Sequence, residues 1–450
     1  MVARAPPRGR PPVALLRADW SKAALRVLKK LDAAGYRSWI VGGAVRDALI
    51  GRTRARSDSD VATPARPREV MALFSKVVPT GVEHGTVTVI EDGEPVEVTT
   101  FRGEGAYLDG RRPSAVVFLD QIDADLARRD FTVNALAYDP IGQVLRDPLG
   151  GRSDLRRKIL RAVGDPRARF AEDGLRPLRA ARFAAQLGFE VDPLTLAAIS
   201  ASLEVTARVA AERVTDEFSR LLVAAGAGRG LELLDQTGLL GLVLPALAEM
   251  PESWRAHAYA AVGAAGRALK LRLAALLHVL SATQGDRSSG EFARAAVAHL
   301  RFPGQISEGA AALVERHGCL LVARPGRRPV SKVEGRRWLS TMGQDAPDLL
   351  SLWEADARAL RPPWRSRQAC LHLAALRTLL ARVKRERPAL STAELALDGR
   401  AVMEQLHLSA GPAVGEALRH LLDRVLEEPR LNTAAALSSE LRAWWEARTA

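Results

Sequence analysis

Asp58 and Asp60 stand two residues apart in the run Ser57-Asp58-Ser59-Asp60-Val61. Residues at that spacing in an extended chain project to one face, so the two carboxylates would stand together as hard oxygen donors. Mg²⁺ is bound by one or two such carboxylates together with the phosphates of a nucleotide. The residues upstream suit those phosphates. Trp39-Ile40-Val41 end on Gly42-Gly43, and a short helical pattern runs from Ala44 to Ile50 and stops at Gly51. Glycines between strand and helix let the backbone approach a ligand, and the helix start offers unpaired N–H groups and partial positive charge to an anion. Arg46, one turn in, adds a fork of donors for phosphate oxygens. A Gly-Gly turn or a D-x-D run is common on its own. In this order, with Arg46 and Asp47 between them, they read as a phosphate-binding turn followed by a metal-binding carboxylate pair.

A second constellation lies further on. Asp165-Pro166 is a helix start, and the run after it carries Glu172, Asp173, Arg176, Arg179 and Arg182. Three-residue spacing brings Asp173 and Arg176 to neighbouring positions on a helical surface, an acceptor beside a donor. Cytosine presents an amino donor beside the N3 acceptor, and adenine an amino donor beside N1, so one Asp–Arg pair can read both. Guanine and uracil present an N–H where an acceptor is wanted. A good bidentate contact is worth about 1–3 kcal/mol of discrimination, by analogy with base readout in grooves. Gly174 and Pro177 fall inside this helix, and Pro177 has no N–H for the carbonyl of Asp173. Either the helix starts afresh near Gly174 or it kinks there. Between the two constellations, Asp125 to Tyr138 is amphipathic and carries Arg129, Asp130, Thr132 and Asn134. These side chains suit ribose hydroxyls and phosphates, or equally a salt-bridged helix face.

Periodicity outlines the elements that must hold these groups. Residues 19–34 have helical spacing and end at Gly35, and Pro64 to Pro67 open a helix from about Arg68 to Phe74. After Gly81 the period becomes two: Thr86–Ile90, the turn Glu91-Asp92-Gly93-Glu94 and Pro95–Phe101 read as a hairpin. Alternation puts Val96, Val98 and Thr100 on one face and Glu97 and Thr99 on the other. Residues 102–118 are glycine-rich and charged, an exposed loop that includes Arg111, Arg112 and Pro113. Asp147 to Gly151 reads as a linker closing the N-terminal unit. From Gly188 onward the pattern is almost all helical, with breaks at Gly238, Pro251, Gly285, Pro303 and Pro362-Pro363, and strands vanish.

Several of these segments together resemble the class II tRNA nucleotidyltransferases and bacterial poly(A) polymerases. They are VGGAVRDALIGR and SDSDVAT in the head motif, then HGTVTV, EVTTFR, RRDFTVNALAYDP, RDPLGGRSDL and EDGLRPLRAARFAAQLGF, in family order over most of the first half. The resemblance implies an α+β fold, with an N-terminal mixed α/β nucleotidyltransferase head of the DNA polymerase beta-like kind followed by an all-α neck, body and tail. Its expected divisions are a disordered basic, proline-rich tail over 1–18, head over 19–150, neck over 151–215, body over 216–345 and an RNA-binding tail over 346–450. It implies nucleotidyl transfer with Mg²⁺ as cofactor, two ions held by Asp58 and Asp60, and Glu97 as a third carboxylate. Gly42, Gly43 and Arg46 would hold the triphosphate, and Arg129, Asp130 and Asn134 the sugar-phosphate side. Asp173 and Arg176, in the family's E-D-x-x-R motif, would read the base, with Arg179 and Arg182 beside them. The implied partners are the 3′ end of tRNA, CTP and ATP, with C, C and A added without a nucleic-acid template.

A loop at the position of residues 102–118 is typical of relatives that add the terminal A. Poly(A) polymerases share the head, but the run Pro79 to Gly85 looks like the tRNA enzymes. An enzyme adding only the final A fits the same residues. A catalytically silent RNA-binding protein would have no need of a metal pair, and a small-molecule nucleotidyltransferase would leave the long helical part unexplained. Arg272 to Leu280 resembles the start of the HD-type phosphohydrolase segment of some relatives, but His278 is followed by Val279 rather than Asp. His278 therefore reads as a core histidine, and no metal is expected in the C-terminal half.

The chain has 450 residues and a formal net charge of +13, which points to more than one packed unit and a polyanionic partner. Cys319 and Cys370 are its only cysteines and lack metal-type spacing, which fits a reduced, cytoplasmic protein. No apolar run is long enough to cross a bilayer, and no obligate protein partner is evident. Basic residues from Arg358 to Arg387 read as a solvated helical face or an RNA-backbone contact.

Overall fold

A computed structural model describes residues 11–52, 60–103, 117–283, 288–318 and 330–449. Asp58, Arg111, Arg112, Pro113, Gly285 and Cys319 lie outside those ranges. The chain forms two compact units, Met1–Ala248 and Glu249–Ala450.

The first unit is built on a seven-stranded mixed sheet. Its order is Val77–Gly81, Thr86–Glu91, Glu94–Thr100, Val61–Thr63, Trp39–Val41, Ala137–Asp139 and Val144–Arg146. Each neighbouring pair is antiparallel except Val61–Thr63 with Glu94–Thr100, which is parallel. The expected hairpin is present. Asp92 and Gly93 both take left-handed backbone angles, φ 51° and 79°, as a tight two-residue turn between twisted strands requires. Val96, Val98 and Thr100 are buried and Glu97 is exposed, so the period-two reading of the faces holds. Ser21 caps the helix Lys22–Ala33 by accepting from Ala24 N at 3.2 Å. That helix buries Ala24, Val27, Leu28 and Leu31.

Within the opening stretch, Val13–Leu16 form a short helix whose Leu15 is buried. Asp125 to Tyr138 is not one helix. A helix over Ile122–Ala127 stops, a 3₁₀ turn spans Thr132–Asn134, and Ala137–Asp139 joins the sheet. The side chain of Asp130 accepts the Phe131 N–H at 2.8 Å, and Phe131 bridges Ala162, so this backbone is bonded outside any helix. Residues 147–151 are packed rather than loose. Asp147 accepts from Gly151 N at 2.7 Å, and a Cβ on Gly151 would lie 2.2 Å from the Thr132 carbonyl oxygen.

The helix after Asp165 ends at Glu172 and a new one runs from Arg176 to Leu187, so the chain restarts rather than kinks. Asp173 between them is extended, with φ −146° and ψ 107°. Pro177 falls in the first turn of the second helix, where a missing N–H costs nothing. A Cβ on Gly174 would meet the Val205 carbonyl oxygen at 2.4 Å, so only glycine fits beneath this break. One short parallel ladder, Ile159–Leu160 with Glu190–Val191, interrupts the otherwise helical second half of the unit.

The second unit is helical throughout its described residues. Pro251, Pro303 and Pro362 each immediately precede a helix: Glu252–Ala264, Gly304–His317 and Pro363–Arg385. Its last helices, Gly399–Leu406, Pro412–Glu427 and Ala434–Thr449, share a core of Val402, Ala417, Leu421, Val425, Leu437 and Leu441. Among the described residues no helix is long and apolar enough to cross a membrane.

Candidate active site

The sheet sets the carboxylates. Val61 pairs with Val98 in the parallel ladder, so Asp60, immediately before Val61–Thr63, lies beside Glu97 in the middle of Glu94–Thr100. Both line an open cleft of about 310 Å³. Val41 holds the start of this strand by donating its N–H to the Asp60 carbonyl at 3.0 Å. Gly42 then turns the chain with φ 69° and ψ −128°. A Cβ there would lie 2.8 Å from Nη1 of Arg129, so the glycine serves both a left-handed turn and the close approach of that guanidinium.

The cleft also contains Arg102, Arg128, Arg129, Arg176, Arg179 and Arg213, with Asp125, Asp130 and Asp173 among them. This crowding of like charge is felt by Arg102. Burial, then the neighbouring Arg128 and Arg129, lower its pKa to about 10 against the pull of Asp125 and Glu97. Nε of Arg102 and Nε of Arg129 are buried without a hydrogen-bond partner. A polyanionic ligand in the cleft would relieve the repulsion.

In the wall of the cleft, Asp130 is the centre of a polar network. It accepts from Arg179 Nη2 at 2.7 Å and Nε at 2.9 Å, and from Asn134 Nδ2 at 3.1 Å. Burial alone would raise its pKa, but the Arg179 charge and these hydrogen bonds hold it down at about 2. Asn134 in turn accepts from Arg46 Nη1 at 2.6 Å. Glu217, itself buried, pairs with Arg179 at 3.3 Å and with Arg182. Arg182 sits 3.9 Å from the centroid of the Phe183 ring, with Arg46 and Arg179 at 5.3 and 5.4 Å. The expected residues thus divide. Asp60, Glu97, Arg129, Asp130, Asp173, Arg176 and Arg179 line the cleft. Arg46, Asn134 and Arg182 are buried and committed to protein partners.

Asp173 and Arg176 come together across the helix break. Asp173 is held by Arg213, whose Nη2 lies 3.0 Å from one carboxylate oxygen, and it accepts the Leu175 N–H at 3.1 Å. Arg176 Nη1 donates to Glu172 and to the Arg169 carbonyl, and Nη2 donates to the Arg128 carbonyl at 3.2 Å. Three of its five N–H groups are so engaged, and two remain for a ligand edge. Arg102, Arg128 and Arg213 were missed in the sequence. Arg128 sits beside the Arg-Asp motif and could have been included, but Arg213 lies on the helix Ala211–Leu222, forty residues from Asp173 in the chain, with no local signal.

Mixed sheet, paired strand carboxylates and arginine-lined cleft together define a nucleotidyltransferase head. The family model of the poly A polymerase head domain matches residues 38–161, and that of the probable RNA and SrmB-binding site of polymerase A matches residues 188–250. The CCA-adding enzyme of Geobacillus stearothermophilus is 38% identical over 396 residues, 88% of this chain and 90% of that protein. The CCA-adding enzyme of Geobacillus thermodenitrificans is 38% identical over 399 residues, again 88% and 90%. The crystal structure of the Bacillus stearothermophilus CCA-adding enzyme in complex with CTP matches with a TM-score of 0.73 at 32% identity, covering 95% of this chain and 98% of that one. The chain belongs to the family of the CCA-adding enzymes.

Proposed function

We propose that this chain adds C, C and A in turn to the 3′ end of tRNA, taking CTP and ATP and releasing pyrophosphate, in the cytoplasm. The observation that carries the reading is a single cleft lined by Asp60 and Glu97 together with Asp173, Arg176 and a crowd of arginines. Arg102, Arg128 and Arg129 receive the triphosphate, since their own repulsion is relieved by an anion. Arg176 donates to N3 of cytosine or N1 of adenine, and Asp173 accepts the exocyclic amino group. Arg213 keeps Asp173 aimed, and Glu172 does the same for Arg176. Gly42 and Gly43 leave room for the phosphates. Asp130, Asn134, Arg46, Arg179 and Arg182 act as positioning residues for the wall that Arg129 belongs to.

Asp60 and Glu97 fit a hard divalent cation: two carboxylates on adjacent strands, beside a wall suited to phosphates. Nucleotidyltransferases of this family generally use a divalent metal. We assign two Mg²⁺ ions to Asp60 and to Asp58, which lies outside the described residues, with Glu97 near Asp60 as a third carboxylate. A divalent ion held by these carboxylates would supply activation of the attacking 3′-hydroxyl and charge stabilisation of the leaving pyrophosphate. The basic residues exposed along Pro363–Arg385, including Arg382, Lys384 and Arg385, contact the RNA backbone.

The test is primer extension with tRNA transcripts ending before CCA, after C and after CC, given CTP, ATP or both with Mg²⁺. Growth of the shortest transcript by C, C and A and then arrest is expected. Extension of only the CC-ended transcript, a long A tail, or no extension would each overturn the reading.

A further inference from the structure

We propose that His257, His278, His317 and Asp356 form a structural site for one divalent transition metal of the zinc class in the second unit. No spacing in the chain announces it, because each ligand comes from a different element. His257 lies on Glu252–Ala264, His278 opens the 3₁₀ turn His278–Thr283, His317 ends Gly304–His317, and Asp356 lies on Ala346–Ala359. The histidines surround one carboxylate. Asp356 Oδ1 is 2.8 Å from Nε2 of His257 and 3.7 Å from Nε2 of His278, and Oδ2 is 3.3 Å from Nε2 of His317. The ligand atoms of His257, His278 and Asp356 all lie within 4.8 Å of one another. Donors at about 2.0–2.1 Å from a tetrahedral Zn²⁺ stand roughly 3.3 Å apart; the three distances to Asp356 bracket that value, and His317, close to Asp356 but outside the three-residue group, would have to draw in as the fourth donor.

Two further observations point to a cation. The other ring nitrogen of His278, Nδ1, is 2.8 Å from the Ala275 carbonyl oxygen. A proton on Nδ1 there leaves the Nε2 lone pair toward the cluster, the outer-shell arrangement common to metal-bound imidazoles. Nε2 of His317 is buried and makes no hydrogen bond of acceptable geometry, although the carboxylate is near. Two imidazoles and a carboxylate, with a third imidazole to close the set, suit Zn²⁺ and Co²⁺ better than Mg²⁺. This is not the histidine–aspartate pair of the phosphohydrolases. Position 279 is a buried valine that cannot ligate. With His317 drawn in, the set would have four protein donors and no open position, the pattern of a structural site, and it would add to the Trp353 Nε1–His317 carbonyl hydrogen bond in tying these helical elements together.

The alternative is a metal-free ion pair, with a protonated histidine on Asp356. Titrating Co²⁺ into the full-length, chelator-stripped protein separates the two. We expect one equivalent to give the intense visible bands of four-coordinate Co²⁺, displaced by Zn²⁺, with a rise in the thermal midpoint as metal binds. Asp60→Ala should leave the bands unchanged, which separates this site from the head. His257→Gln and His317→Gln, at partly exposed positions, should each weaken Co²⁺ binding at least tenfold while circular dichroism shows an intact fold. Absence of the bands in the folded wild-type chain would overturn the site, as would bands that survive both glutamine variants.

Discussion

At the scale of single residues, the proposed site sets carboxylates where a metal is wanted and a crowd of arginines, most of them paired with acidic neighbours, where phosphates are wanted. Asp60 is the described member of the carboxylate pair. Metal stabilisation of charge in a transition state amounts to several kcal/mol, so Asp60→Ala should lower nucleotide incorporation by about 10³-fold or more with an unchanged circular dichroism spectrum. Single-turnover incorporation of CTP reads this, and near-wild-type rates would contradict it. Asp130 makes a different kind of prediction. Its pKa falls from 3.8 unfolded to about 2 folded. A depressed carboxylate contributes stability above its unfolded pKa and loses that contribution as pH falls through the folded one. The shift corresponds to about 2 kcal/mol. Asp130→Asn should therefore unfold at lower urea than the wild type near neutral pH, and the gap should narrow as pH falls from about 4 to about 2. A gap independent of pH would contradict the pairing with Arg179.

At the scale of elements, the break between Pro166–Glu172 and Arg176–Leu187 positions Asp173 and Arg176, the pair proposed to read the base. Gly174 allows it by admitting the Val205 carbonyl. Gly174→Ala would force that backbone apart, and overpacking of this kind costs about 1–3 kcal/mol. Urea unfolding should show the loss, and fidelity for C and A should fall with it, since Asp173 is next in the chain. An unchanged midpoint would mean the backbone there relaxes without cost. This break was legible in the sequence as one of two possibilities, because Pro177 has no N–H and can sit only in a first turn or at a kink. The hairpin was legible too: strict alternation and an Asp-Gly turn are local signals. Asp125 to Tyr138 was not, because Ala137–Asp139 becomes a strand through its partners Trp39–Val41 and Val144–Arg146, far away in the chain. The same reason hid Arg213 and the histidine cluster, whose members share a place but no spacing. Arg46, Asn134 and Arg182 stood out in three separate segments, but of these only the segment of Asn134 also read as a salt-bridged protein face, and the pairings of Arg46 with Asn134 and of Arg182 with Glu217 reach too far along the chain to be seen locally.

At the scale of the whole molecule, the net charge of +13 acts through counterion release on RNA rather than through any one side chain. Binding of tRNA should weaken linearly in a log–log plot against salt. Replacing Arg382, Lys384 and Arg385 by Glu should flatten the slope by about 0.7–0.9 for each RNA phosphate that is no longer neutralised, with the rate at saturating tRNA preserved. An unchanged slope would leave these residues as a solvated helix face. Stability of the second unit adds its own term if its four-ligand cluster takes up metal.

Under the proposed function, protein side chains rather than a nucleic-acid strand choose the base. The most direct measurement compares wild type and Asp173→Ala on a tRNA transcript ending before CCA, with each of the four nucleoside triphosphates offered singly and in mixture. The wild type should incorporate C and reject U and G. The variant should lose about 1–3 kcal/mol of that discrimination, roughly 5- to 150-fold, with CTP still accepted. Discrimination against U and G undiminished in the variant would contradict base reading by Asp173 and Arg176.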